Sequence, residues 1–443
     1  MKSSRRRFLA GVTGTTAVGS LAGLDISRFA HAAGSGDIRL GLIGCGGRGV
    51  GAVTNALRTG PDVKLVALAD AIPEQADWVL NILNTAAAKK IDLQQVKVSK
   101  ERKFDGFDAY EKLLNSGVDA VILATPAGFR PLHFEAATKA GVHCFMESPV
   151  AVDAPGIRQI RAAAEIAKQK RLSAVVGLQS RFDKRCQQFI AEITKGAIGK
   201  LKRLESACRV TSFGETKERA TLEKVLGRNL GELEYQIRNW RSFVWLSGDY
   251  FLDRGMHQLD ICLWAAGRLP QSARGTAQRR EKRGQDFGNA LDSVSVSYRY
   301  DDDLELAADI SSYATADQRW DCAFEGTKGS ATSWKGPILN AQGQSIWAFQ
   351  GANNSSLQEE MNQWCDSIRK GSAMSTVENA ADSNLVAIMG RTAAYTGREV
   401  TWAEMLKSTE TFFVRNPKSF QNDPPAMPDK FGDYVVPARG VKL

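Results

Sequence analysis

Between residues 37 and 180, short apolar runs alternate with stretches of helical periodicity, the pattern of βαβ units that close into a parallel sheet. Ile38–Ile43 predicts a first strand, Gly46–Thr59 a helix and Val63–Asp70 a second strand. Further strands are expected at Ala120–Ala124, His143–Glu147 and Ser173–Gly177, with helices over Pro131–Ala140 and Pro155–Gln169. From about Arg181 the texture changes. Leu201–Thr211, Leu291–Tyr300, Asp303–Tyr313 and Asp321–Phe324 are longer alternating runs, which in succession predict an open antiparallel or mixed sheet. Residues 356–396 predict two helices, and 415–443 a proline-containing tail with little periodicity.

The first 32 residues stand apart. Ser4-Arg5-Arg6-Arg7-Phe8-Leu9 has the twin-arginine pattern, a mildly apolar stretch follows from Gly11 to Leu24, and Ala30-His31-Ala32 offers small residues to a signal peptidase. A Tat leader cleaved after Ala32 is therefore expected, with a periplasmic or otherwise exported protein. Tat carries folded cargo, so a cytosolic cofactor would be loaded before export and tightly retained. The leader holds five basic residues against one acidic, a net of +4, so the formal charge of +9 falls to about +5 without it. No apolar run outside the leader is long enough to span a membrane, and no stripe of Lys and Arg interleaved with aromatics suggests nucleic-acid binding. The seven cysteines are scattered without a CxxC, and Cys144 and Cys262 read as buried small hydrophobes.

Gly44-Cys45-Gly46-Gly47-Arg48-Gly49 follows the first predicted strand and opens the first predicted helix. Such glycines allow a tight turn, close approach of backbone to a diphosphate, and close helix–strand packing, while the helix N-terminus offers unpaired N–H groups. Arg48 is placed to touch the diphosphate. Asp70 ends the second strand 21 residues past Gly49, where a carboxylate would accept hydrogen bonds from a ribose and repel a 2′-phosphate. NAD(H) is the expected cofactor. The expected fold is α/β: a doubly wound Rossmann domain over 37–180, an α+β substrate domain with an open, mostly antiparallel sheet over 181–414, and the tail over 415–443.

The chain resembles the Gfo/Idh/MocA family of oxidoreductases over roughly residues 37–405. The resemblance rests on the Gly44–Gly49 loop, Ala124-Thr125-Pro126, Glu147-Ser148-Pro149, Gly177-Leu178-Gln179-Ser180-Arg181-Phe182 and Asp253-Arg254-Gly255-Met256-His257-Gln258-Leu259-Asp260. It implies that Thr125, Pro126, Glu147 and Pro149 border the cofactor, that Arg181 lies at the crossover to the substrate side, and that the open sheet pairs in a homo-oligomer. Family members usually read Glu-Lys-Pro where this chain has Glu147-Ser148-Pro149, and a serine hydroxyl cannot replace the ammonium.

The resemblance also assigns His257 as acid/base on the reacting hydroxyl, with Asp253, four residues earlier on one expected helix face, orienting it, raising its basicity or holding a sugar hydroxyl. Asp260, a further turn on, reads as structural, as do His133 and His143. Tyr235, Trp240, Trp245 and Tyr250 cluster with Arg238 and Arg241, a mixture that suits stacking and hydrogen bonding of a sugar. Arg279-Arg280-Glu281-Lys282-Arg283 reads as a solvated loop or as a site for an anionic substituent. Three readings stay open: an NAD(H)-dependent oxidoreductase acting on a sugar, glycoside or polyol; an NAD-assisted glycoside-cleaving enzyme without net redox change; and a non-catalytic sugar- or nucleotide-binding protein.

Overall fold

Runs rich in Ile, Leu, Val and Ala build the first strands, as a sheet covered on both faces requires. The computed structural model describes residues 36–437 except 86, 211–215, 282, 283, 285, 314–316, 414 and 415. The leader expected over 1–32 and residues 438–443 lie outside them. Strands β1 (Ile38–Ile43), β2 (Val63–Asp70), β3 (Lys103–Asp105), β4 (Ala120–Leu123), β5 (His143–Glu147) and β6 (Ala174–Gly177) pair in parallel, in the order β3-β2-β1-β4-β5-β6. Helices α1 (Gly47–Leu57), α2 (Arg130–Lys139) and α3 (Ala154–Gln169) connect them. The order reverses between β1 and β4, and the crevice beyond their carboxyl ends is where sheets of this kind take ligands. Strand β3 has no counterpart in the sequence reading, because three partly exposed residues at a sheet edge carry no apolar run.

The second sheet has the order β14-β13-β12-β11-β7-β10-β9-β8-β15. Its strands are β7 (Leu201–Arg209), β8 (Ser272–Gln278), β9 (Ser293–Arg299), β10 (Glu305–Ser311), β11 (Arg319–Gly326), β12 (Gly329–Ala331), β13 (Ile338–Asn340), β14 (Ser345–Trp347) and β15 (Val400–Thr401). The pairing of β7 with β10 is parallel and the others are antiparallel, so the sheet is mixed. Along β9, Val294, Val296 and Tyr298 are buried while Ser295, Ser297 and Arg299 are exposed, the signature of a sheet covered on one face. The cover comes from α4 (Met256–Ala266) and, beyond α5 (Ser356–Arg369), from α6 (Val377–Thr396).

Helix α5 belongs spatially to the first sheet. Met361, Trp364 and Cys365, spaced i, i+3, i+4, pack with Leu40, Leu42 and Phe145, and the helix lies along α1. The block expected over 181–414 is therefore interrupted. The tail also docks: Phe420 meets Phe107 edge-on with ring centres 5.0 Å apart, and the Tyr434 hydroxyl donates to Glu232 at 2.6 Å. No helix among the described residues is long and apolar enough to cross a membrane.

Candidate functional site

Strand β1 stops at Ile43 because Gly44 takes φ +98°, a backbone region L side chains avoid. A Cβ on Gly44 would meet the Thr125 amide nitrogen at 2.5 Å, and one on Gly49 would land on the Gly44 carbonyl oxygen. These two glycines thus seat the turn between β1, β4 and α1. Gly46 and Gly47 differ, since a Cβ on either would face open space. Gly46 is the N-cap of α1 and supplies no side-chain hydrogen bond, so the first-turn N–H groups are directed at that space. A diphosphate fits there without displacing a side chain.

Next to the loop lies a cavity of about 250 Å³, bordered by Gly44, Gly46, Asp70, Thr125, Pro126 and, from the chain's second half, Trp240. Asp70 accepts from the Cys45 amide at 2.6 Å and the Ile72 amide at 2.9 Å. A carboxylate has about four acceptor positions, so lone pairs remain for ribose hydroxyls. Burial raises its pKa, with the two amides opposing. The ends of β4 and β5 are tied by Arg130, which is buried and donates to the carbonyls of Leu123 (2.7 Å), Glu147 (2.6 Å) and Thr125. Nothing in the sequence signals this arginine, because all three acceptors are main-chain. His133 lies 3.2 Å from the Thr125 hydroxyl, and burial beside Arg130 pushes it down to about 3, so it is neutral.

Beyond the β5 end stands the second group of residues. The Ser148–Pro149 bond is cis. Asn384 on α6 accepts from the Val150 and Ala151 amides at 2.8 and 3.0 Å, which fixes the segment after it. The Ser148 hydroxyl donates to the Gly177 carbonyl at 3.2 Å and lies 3.5 Å from His257 Nε2. Burial, reinforced by the Arg254 charge, pushes His257 down to about 4, so its imidazole is neutral at pH 7. Asp253 lies in a π-helical turn, Phe251–Gly255, that runs into α4. The wider turn alters the four-residue spacing expected of an α-helix, and the Asp253 carboxylate ion-pairs with Arg241 and Arg254, each at 3.4 Å. Its charge still acts on His257, but the structure gives no hydrogen bond between them.

Comparison with known proteins identifies the family. Residues 38–178 match the family described as "Oxidoreductase family, NAD-binding Rossmann fold", and residues 186–332 match the "GFO/IDH/MocA C-terminal domain". The chain belongs to the Gfo/Idh/MocA family. Similar curated proteins include the inositol 2-dehydrogenase of Rhizobium meliloti, 24% identical over 64% of this chain and 76% of that protein. Another is the scyllo-inositol 2-dehydrogenase (NAD(+)) of Bacillus subtilis, 23% identical over 79% and 91%. Among solved structures, the aldose-aldose oxidoreductase of Caulobacter crescentus shares the fold, with a TM-score of 0.61, 17% identity, and coverage of 82% of this chain and 99% of that one. As a Gfo/Idh/MocA protein with an NAD-binding Rossmann domain, the chain is an NAD-binding oxidoreductase.

Within this Gfo/Idh/MocA fold several expected ligand contacts are redirected. Arg48 does not point at the diphosphate space; it ion-pairs with Glu147 at 2.8 Å and with Glu360 of α5 at 3.4 Å. Burial and the neighbouring Glu147 push the Glu360 carboxyl well above the usual range. Arg181 is held by both oxygens of Asp260 (2.9 and 2.8 Å), which also accepts from Ser383 at 2.6 Å. Its guanidinium is thus committed to the core. Removing it would strand a buried carboxylate. Arg181→Ala is expected to lower unfolding free energy by about 2–3 kcal/mol in urea titration, with KM of the folded fraction unchanged; a raised KM at full stability would restore it as a substrate contact.

The aromatic cluster also divides. Tyr235 is buried and donates to the Asp286 carbonyl at 3.0 Å, and Trp245 is buried with its indole N–H on Gln236 at 2.7 Å. Neither presents a face to a sugar, because both complete the packing between the second half and Phe129 or the tail. Trp240 is partly buried in the cavity wall with the Arg241 guanidinium 4.3 Å over its ring, and Arg238 is paired with Glu234 and Glu74, both at 2.7 Å. Arg279 donates to the Gly288 carbonyl, while residues 282 and 283 of that basic run lie outside the described residues. His143 accepts from the Ser173 amide at 2.9 Å, and all seven cysteines are buried and free.

Proposed function

We propose that this protein oxidises a ring hydroxyl of a polyol or sugar, with His257 receiving the hydroxyl proton. The observation that carries the reading is a neutral imidazole whose Nε2 is held only loosely by Ser148, beside the carboxyl ends of β5 and β6. Bound NAD supplies the hydride acceptor. The residues around it do the rest: Gly46 and Gly47 leave room for the diphosphate, Asp70 offers acceptors to the ribose, and Arg130 fixes the strand ends. Without an ammonium at 148, proton transfer falls to His257, whose 3.5 Å contact with Ser148 leaves its Nε2 able to engage a substrate hydroxyl. The names of the similar inositol dehydrogenases favour a cyclic polyol.

Denaturing the purified protein and weighing the released nucleotide, then following NADH absorbance with cyclic polyols, aldoses and glycosides, tests this reading. Bound NAD and a stoichiometric rise with a cyclic polyol or aldose are expected. Glycoside cleavage without net NADH would replace it with the redox-neutral alternative that Ser148 suggests. Export also forms part of the proposal, on the strength of Ser4–Leu9 and Ala30-His31-Ala32. Arg5→Lys together with Arg6→Lys should retain the protein in the cytoplasmic fraction; unchanged export would refute the Tat route.

A further inference from the structure

We propose that Asp249 is a positioning residue: it holds the turn that carries Asp253 and leads into His257 in one conformation against the segment that carries Ser148, a role that rests on the reading of His257 above. Among the described residues, two other than glycine have a positive φ. Arg171, just past α3, is exposed at +54°, the ordinary left-handed conformation of a helix end. Asp249 is fully buried at +114°, well outside that region and in one that L side chains seldom occupy. A glycine would take the same backbone without strain. What glycine lacks is the carboxylate, whose Oδ1 accepts from the Leu252 amide at 2.9 Å. The Asp249 carbonyl accepts from the Asp253 amide at 2.9 Å, and its own amide donates to the Ser247 hydroxyl at 3.0 Å. One strained residue thus fixes two successive amides of the π-helical turn Phe251–Gly255, a conformation that rarely persists without such support.

The other half of the lock comes from α6. Asn384 and Arg391, seven residues and two turns apart, share one face of that helix. Asn384 accepts from the Val150 and Ala151 amides, and Arg391 Nη1 donates to the Val152 carbonyl at 2.8 Å. The same Nη1 donates to the Gly248 carbonyl at 2.9 Å. The segment after Pro149 and the residue before Asp249 are therefore joined through one guanidinium. Arg391 is itself buried, and the Asp249 carboxylate supplies the opposite charge that a buried cation needs. Ser148 and His257, 109 positions apart in sequence, meet at 3.5 Å with both approaches pinned to α6. The strain at Asp249 is offset by these contacts, and what they secure is the place of the imidazole beside the β5 end.

The test compares Asp249→Gly, which relieves the backbone and removes the carboxylate, with Asp249→Asn, which tolerates a positive φ and keeps an acceptor oxygen. Nitrogen NMR on the full chain labelled at histidine follows each imidazole, and His257 is assigned by the signals lost in His257→Ala. Native His257 should stay neutral from about pH 8 down to about pH 5; in Asp249→Gly it should titrate toward the ordinary 6.5 as water reaches the ring, and Asp249→Asn should restore the native behaviour. With the polyol or aldose that gives the largest NADH rise, Asp249→Gly is expected to lower kcat about tenfold or more, as a displaced catalytic group does, with KM changed by less than about twofold. Asp249→Asn should recover most of that loss. An unchanged His257 titration in Asp249→Gly, an asparagine variant no better than the glycine one, or a glycine variant that does not fold overturns the positioning role. Absence of NADH formation with every compound overturns the redox reading, while a shifted His257 titration still upholds the role of Asp249.

Discussion

Alanine at position 257 is expected to lower kcat by about 10²- to 10⁴-fold, the usual contribution of a positioned acid–base group, while the protein keeps its NAD. The expectation follows from the missing lysine. Ser148 donates to Gly177 and carries no charge, so His257 is the group beside the carboxyl ends of β5 and β6 that can take a proton at neutral pH. Its pH dependence is distinctive. Burial favours the neutral imidazole and brings its pKa from 6.5 to about 4, so the base stays deprotonated, hence active, well below pH 6. The acid limb of kcat/KM, which reports the free enzyme, should fall near pH 4 rather than 6.5 and vanish from the residual activity of His257→Ala. An acid limb near 6.5 would show that the imidazole is solvated, and an undiminished kcat in His257→Ala would remove it from the chemistry. Asp253→Asn should cost less, because Asp253 acts through Arg241 and Arg254 as a positioning residue.

Valine at position 46 is expected to weaken NAD binding by about 10²-fold or more, since a branched side chain would fill the space a diphosphate needs at close backbone approach. Melting temperature should stay within a few degrees, because Gly46 has φ −94° and a Cβ there meets no protein atom within 4 Å. Gly44→Ala is the contrast. Its positive φ and the collision with Thr125 should destabilise the fold itself by about 1–3 kcal/mol. Calorimetric titration of NAD alongside thermal unfolding separates the two. Full NAD affinity in Gly46→Val would mean the diphosphate lies elsewhere; equal loss of stability in both variants would reduce the loop to a structural turn.

The nucleotide half was legible because its signals are local. The glycine spacing, the apolar strands and Asp70 occupy one βαβ stretch, and β1, α1 and β2 fall within a few residues of their predicted ranges. The long strands β7, β9, β10 and β11 were legible for the same reason: alternation reports a half-covered sheet wherever it occurs. Short elements such as β3, β12 and β13 were not, because three residues contain no period.

Side-chain partners followed a different logic. Arg181 reads as a ligand contact until Asp260, 79 residues away, takes two of its three guanidinium nitrogens. Arg48 reads as a diphosphate contact until α5 brings Glu360 from 312 positions along the chain. Tyr235 and Trp245 read as a sugar platform until the packing of the second half encloses them. Sequence alone determined the fold class, since it depends on backbone conformation and periodicity within short spans. The tertiary structure decided which charged and aromatic groups face the crevice, because a side chain's partner, and so its availability, is set by residues the chain brings back from far away.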